Sequence, residues 1–156
     1  MEEDLQGLLN YAYFYLKFRP RTKKEVRDYL YKKIKNRHWS RDDADKVLKR
    51  LEEQDFIDDK KFVEWFVEQR NILKPKSEFA IRAELYKYGV EKDVAENYFQ
   101  EKPLAEDELA EKALRSRWGR FKLLTKEKRF PKALSFLLRR GFSFAVAKIV
   151  IEKLER

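Results

Sequence analysis

Arg19-Pro20-Arg21-Thr22-Lys23-Lys24-Glu25-Val26-Arg27 holds a helix stop and a helix start in one short stretch. The residue before a proline avoids the α region, so a preceding helix ends at Phe18-Arg19-Pro20. Thr22 and Glu25 stand three apart, the capping-box spacing in which a hydroxyl and a carboxylate each satisfy an orphan amide. Val26, Leu30 and Ile34 then mark the apolar face of a second helix. The chain returns to this pattern twice. Lys74-Pro75-Lys76-Ser77 precedes Ile81 and Leu85, and Arg129-Phe130-Pro131-Lys132 precedes Leu134 and Leu138, at offsets of 55 and 53 residues. A period near 50 with helical texture predicts tandem helical modules, not one mixed fold.

Working outward, each copy supplies three helical faces. The first begins with Leu5, Leu8, Leu9, Ala12 and Leu16 and ends with Ala44, Val47, Leu48 and Leu51, started by Ser40-Arg41-Asp42-Asp43. The second opens at Asp58-Asp59, carries Phe62, Val63, Phe66 and Val67, and closes on Val94 and Tyr98. The third opens with Leu109, Ala113 and Leu114, extended by Trp118 and Phe121, continues through Leu134, Leu137 and Leu138, and closes on Val146, Ile149, Val150 and Leu154. Gly89 and Gly141 stand at matching helix ends, where glycine tolerates positive φ. The first copy has Asn36-Arg37-His38-Trp39 there instead. No segment reads as a strand. The expectation is all-α: three tandem three-helix repeats of the helix-turn-helix kind in an elongated, curved array, with repeats at 1–56, 57–103 and 104–156. Modules this small share apolar surface with their neighbours.

The 156 residues are 43% hydrophobic and 42% charged, a helical globular composition with a well-solvated surface. There is no cysteine, which excludes disulfides and thiolate metal sites. The start, Met1-Glu2-Glu3-Asp4, has the wrong charge for a signal peptide, and no apolar run approaches the roughly 18–20 residues of a membrane span. A cytoplasmic protein without membrane contact is expected. The net charge is +9, unevenly spread. Residues 1–56 carry +3, residues 57–103 carry −1 and residues 104–156 carry +7. From Lys112 to Arg140 there are 11 basic residues and one acidic one, Glu127. Such a field attracts phosphate backbones or acidic protein surfaces.

Chemistry is sparse. His38 is the single histidine and has no partners for a metal or a nucleophile relay. Asp58-Asp59 fits a helix N-terminus better than a catalytic pair, with Lys60 and Lys61 beside it. The four glycines cannot form a phosphate loop. A binder without cofactor or catalytic residues is expected. Tyr11, Tyr13, Phe14 and Tyr15 cluster on one helix; core packing is the weightier reading, and stacking on unpaired bases is the other. Tyr13 and Tyr31 lie off the apolar phase.

Three stretches carry a family likeness. They are residues 19–27 quoted above, Phe56-Ile57-Asp58-Asp59-Lys60-Lys61-Phe62, and Arg139-Arg140-Gly141-Phe142-Ser143. In order and spacing over nearly the whole chain, the sequence resembles the RecX family, bacterial regulators of the RecA recombinase. It departs from the family at Leu73-Lys74-Pro75-Lys76, where a glycine often stands, and in the more basic segment 110–130 with Trp118-Gly119. The resemblance implies a monomer with no enzymatic activity that lies in the groove of the RecA–single-stranded DNA filament. It implies inhibition of ATP hydrolysis, strand exchange and coprotease activity, and hence a place in recombination, DNA repair and the SOS response. Binding to single-stranded, and secondarily double-stranded, DNA alone is expected to be weaker. The alternative is a direct helix-turn-helix DNA binder acting without RecA. Expected contact residues are Arg19, Arg21, Arg139 and Arg140 on the family motifs. Lys24, Arg27, Arg70, Lys74, Lys76, Arg82, Arg115, Arg117 and Arg120 join them on charge.

Overall fold

The computed structural model describes the backbone of residues 2–156 and the side chains of residues 5–156, so the side chains of the acidic start, residues 1–4, lie outside what is described. The described residues form nine α-helices and no strand. In order these are α1 (Glu2–Leu16), α2 (Lys23–Lys33), α3 (Arg41–Glu53), α4 (Asp59–Leu73), α5 (Glu78–Lys87), α6 (Lys92–Glu101), α7 (Glu106–Phe121), α8 (Lys126–Arg139) and α9 (Phe144–Glu155).

Two compact units emerge: Met1–Trp65 with Leu85–Ala95, and Phe66–Glu84 with Glu96–Arg156. The first encloses a core of α1, α2 and α3, with Leu8, Ala12, Val26, Leu30, Ala44 and Leu51 fully buried. The second encloses Ala110, Ala113, Leu114, Ala133, Leu137 and Ala147 on α7, α8 and α9, again fully buried.

Local chemistry explains the helix ends. Thr22 accepts the Glu25 amide at 3.1 Å while the Glu25 carboxylate accepts the Thr22 amide at 3.1 Å, completing the capping box. Ser40 and Asp43 form the second such box at α3. Gly89 and Gly141, both at φ 91°, end α5 and α8. In each turn the following residue reaches back to the same carbonyl, Val90 to Leu85 at 3.1 Å and Phe142 to Leu137 at 3.2 Å. Asn36 and Asp55, at φ 61° and 60°, serve the first copy, where no glycine stands.

A seam occurs twice. In the first unit, the buried Thr22 donates its hydroxyl to the Tyr88 carbonyl, and the Lys23 amide donates to Asp59 at 3.0 Å. In the second, the Ser77 amide donates to the Arg140 carbonyl at 3.1 Å, and the Glu78 amide donates to Glu106 at 2.9 Å. The start of a repeat's second helix is thus covered by the next repeat: by the carboxylate that opens its first helix and by the residue before its positive-φ glycine. A Cβ on Gly141 would collide with Ser77 and Ala80, and one on Gly89 with Lys24, so glycine is required by close approach as well as by φ. Burial pushes the carboxyls of Asp59 and Glu106 up, against the pull of the amides they accept.

Four expectations need correction. Arg129-Phe130-Pro131-Lys132 is not a turn: α8 starts at Lys126, and Pro131 lies inside it, in the second turn. The apolar phase of α8 is shifted by one residue. Ala133, Phe136 and Leu137 are buried, Leu134 is half-buried, and Leu138 is 44% exposed. Aligning the two glycines pairs Leu137 with Leu85 and Ala133 with Ile81, an offset of 52. The same one-residue slip occurs in α6, where Ala95 and Phe99 are buried and Val94 and Tyr98 are half-buried. In α9, Ile149 is 57% exposed and Ile151 is buried in its place.

Candidate polyanion site

A concentration of uncompensated charge lies in the second unit. Lys74, Lys76, Arg117, Phe136, Arg139 and Arg140 line an open cleft of about 300 Å³. Three elements build it. The Lys74-Pro75-Lys76 turn leads into α5, α7 supplies Arg117, and the end of α8 supplies Phe136, Arg139 and Arg140. Arg140 is only 8% exposed, and its guanidinium donates to the Pro75 carbonyl at 3.0 Å and sits 4.7 Å from the Phe136 ring centre. Arg117 approaches the same ring at 5.4 Å. Burial, with Arg117 close by, pulls Arg140 below its ordinary value. Arg139, exposed, donates to Ser135 at 2.9 Å.

Among the described residues no carboxylate pairs with Lys74, Arg117, Arg139 or Arg140. Four cations around one cleft repel one another and lower that energy by meeting an anion. The guanidiniums suit phosphate oxygens, which accept two parallel N–H bonds.

The other predicted residues have different surroundings. Arg19 and Arg21 both pair with Glu25, the capping-box carboxylate. Arg19 also lies 5.4 Å from the Tyr88 ring and Arg21 4.0 Å from that of Tyr15. Lys24 pairs with Asp28 and Arg82 with Glu78, both along their own helices. Arg115 shares Glu111 with Lys153. Arg27 is half-buried on α2, and Arg120 is exposed near the end of α7. Arg70 and Lys76 converge on Glu84, with Arg70 donating twice, at 2.9 and 2.7 Å. Lys76 therefore enters the cleft partly neutralised. Of thirteen expected contacts, the structure brings five together: Lys74, Lys76, Arg117, Arg139 and Arg140. Phe136, which the two guanidiniums flank, was not singled out by the sequence. Arg129 is structural: it donates to the carbonyls of Phe121, Lys122 and Leu124 and pairs with Glu155.

Glu84 gives a pH test of the cleft's support. Burial raises its carboxyl, but hydrogen bonds and charge from Arg70 and Lys76 outweigh burial and hold it below its ordinary 4.5. A depressed folded value means stability that is present above the unfolded value and lost as pH falls through the folded one. Chemical denaturation of the parent and Glu84→Gln should therefore show a difference in stability at pH 6 that shrinks once the pH drops below about 4.5. A difference independent of pH would show that the network does not titrate.

The described residues contain no cluster of three or more side chains suited to a metal ion. No described helix is long and apolar enough to cross a membrane. Tyr13 and Tyr31 have polar partners, Gln54 at 3.1 Å and Asp45 at 2.8 Å.

Comparison with known proteins places this architecture. Residues 9–51 match the family model described as "RecX, first three-helix domain", and residues 105–151 match "RecX, third three-helix domain". The Regulatory protein RecX of Streptococcus thermophilus (strain ATCC BAA-491 / LMD-9) is 32% identical over 148 residues, covering 94% of this chain and 55% of the relative. That of Lactococcus lactis subsp. cremoris (strain MG1363) is 31% identical over 169 residues, covering 99% of this chain and 61% of the relative. The chain thus spans little more than half the length of these curated relatives. The crystal structure of RecX from Lactobacillus salivarius superposes with a TM-score of 0.78, covering 99% of each chain at 23% identity, a likeness of fold. Two matching domain models, relatives along nearly the whole chain and a likeness of fold agree: this chain belongs to the RecX family.

Proposed function

We propose that this chain is a regulatory protein of the RecA–single-stranded DNA filament, acting mainly as an inhibitor of RecA ATPase, strand exchange and coprotease activity. The regulatory role follows the names of its relatives, and RecA as partner follows the resemblance in the motifs. The observation that carries the reading is the cleft of uncompensated cations at Lys74, Arg117, Arg139 and Arg140, set in a RecX fold. It offers a nucleic-acid phosphate a charge-assisted contact. Contacts at separate repeats then add through effective concentration, so modest individual affinities suffice on a filament. The repeat boundaries 1–56, 57–103 and 104–156 belong to the same proposal. Each repeat would meet the filament with a different charge, +3, −1 and +7.

The test is a titration of the chain onto preformed RecA filaments while ATP hydrolysis is followed. Hydrolysis should fall as the chain approaches equimolar amounts. An unchanged rate across the titration, with RecA from the matching organism, would sink the proposal. The same cleft favours a second reading, direct DNA binding without RecA. Affinity for DNA alone that matches affinity for the filament at physiological salt would favour that one.

A further inference from the structure

A second feature lies in the first unit, far along the chain from the basic cleft. Six side chains there, three cations and three rings, form a ladder. Arg21 lies 4.0 Å from the Tyr15 ring, and Tyr15 stacks on Tyr29 at 4.1 Å with planes 5° apart. Lys33 lies 5.4 Å from the Tyr29 ring and 5.1 Å from that of Tyr11, and Arg37 lies 5.1 Å from Tyr11. Beside this ladder an open groove of about 300 Å³ is lined by Gly7, Asn10, Tyr11, Phe14, Tyr29 and Lys33. Phe14 is 58% exposed, which a core role does not explain. Gly7 lacks the side chain that would narrow the floor, and a Cβ there would strike Trp39.

The groove's walls come from α1 and α2. The carboxylates of α2, Glu25 and Asp28, are taken up by Arg19, Arg21 and Lys24, whereas Lys33 and Arg37, the cations beside Tyr11, have no carboxylate partner among the described residues and leave a positive field there. An apolar peptide would need the groove but not this field. A bare phosphate would need the field but not an exposed Phe beside Tyr11. An unpaired nucleobase with its flanking phosphate needs both, because every base has a face to stack and a charge beside it. Asn10 accepts from Gln6 through its side-chain oxygen at 3.0 Å, which leaves its amide hydrogens to meet a base edge.

We infer that the Tyr11–Phe14 groove of the first repeat is a base-stacking site for single-stranded nucleic acid, with Lys33 and Arg37 holding the adjoining phosphate. The site goes beyond the proposed filament role, since it requires neither RecA nor the cleft of the second unit.

The probe is a pair of fluorescently labelled oligomers of equal length, one of thymidine and one abasic, so that phosphate number is constant and only the bases differ. The thymidine oligomer should bind about tenfold more tightly, the scale of a stacked base. Phe14→Ala, at an exposed position where folding is not at stake, should bring the ratio toward one. Arg37→Glu should weaken both oligomers together and lower the salt dependence of each. The preference for bases should persist when Lys74, Arg117 and Arg139 are all reversed to Glu, which separates this site from the cleft. Equal affinity of the parent for the two oligomers, or an undiminished ratio in Phe14→Ala, would overturn the inference and leave the groove to a protein partner.

Discussion

Reversing Lys74, Arg117 and Arg139 to Glu together is expected to lower affinity for single-stranded DNA on the order of a hundredfold at low salt. All three line the cleft, and none has a carboxylate partner among the described residues, so no internal ion pair is broken by the change. Arg140 is left in place because it holds the Pro75 carbonyl, and its loss would report on folding. If the three cations meet phosphates, the slope of log affinity against log salt should flatten by about two, since each single-strand phosphate contact contributes roughly 0.7. The control is Lys46→Glu, Lys49→Glu and Lys60→Glu, three exposed lysines of the first unit that change the net charge by the same amount. A general field effect would weaken binding equally in both triples. A cleft effect confines the large loss and the flattened slope to the first, and equal losses would deny the cleft its role. RecA ATPase inhibition, measured on the same variants, should follow the same order.

The second large effect concerns stability and sets two adjacent leucines against each other. Leu137→Ala is expected to cost about 2–5 kcal/mol, the range for a fully buried leucine whose cavity the surroundings only partly fill. Leu137 is wholly inaccessible and belongs to the core of α7, α8 and α9. Leu138→Ala should cost under about 1 kcal/mol, since that side chain is 44% exposed. Urea denaturation of both variants is decisive. Equal costs, or the larger cost at Leu138, would restore the phase in which Leu134 and Leu138 face the core.

That phase shows where sequence reading reaches its limit. Between residues 133 and 138, five of the six side chains are apolar, so several helical faces fit almost equally well. What fixes the face is distance to the chain reversal. Leu137 stands four residues before Gly141, as Leu85 stands four before Gly89. Pairing Ile81 with Leu134, an offset of 53 where the glycines give 52, misplaces the repeat by one residue, and Pro131 is no guide because it sits within α8 and not ahead of it. The caps were legible because they are local: Thr22 with Glu25, and Ser40 with Asp43, act within three residues. The cations were legible as charge, but the division of labour among them was not. Glu84 neutralises Arg70 and Lys76 from 14 and 8 residues away, and Arg129 is drawn inward by three carbonyls and Glu155. Only tertiary structure separates those cations from Lys74, Arg117 and Arg139. The clustering of Tyr11, Phe14 and Tyr15 was visible, yet their partners Tyr29, Lys33 and Arg37 come from α2 and the loop after it.

The twice-written seam gives the molecule a direction of completion. Thr22 and Lys23 sit at the start of α2, but the groups that cover them, Asp59 and Tyr88, are joined to the growing chain much later. During synthesis, residues 1–56 can assemble their leucine core while the entrance to α2 still faces water. It closes only once the ribosome has passed Gly89. The same delay recurs one repeat on, where Ser77 and Glu78 wait for Glu106 and Arg140. Each of the first two repeats is finished by its successor, so a nascent chain matures from its N-terminal end one seam at a time. A fragment cut at the apparent repeat boundary would keep the local cap of α2 but leave the Thr22 hydroxyl and the Lys23 amide without Tyr88 and Asp59.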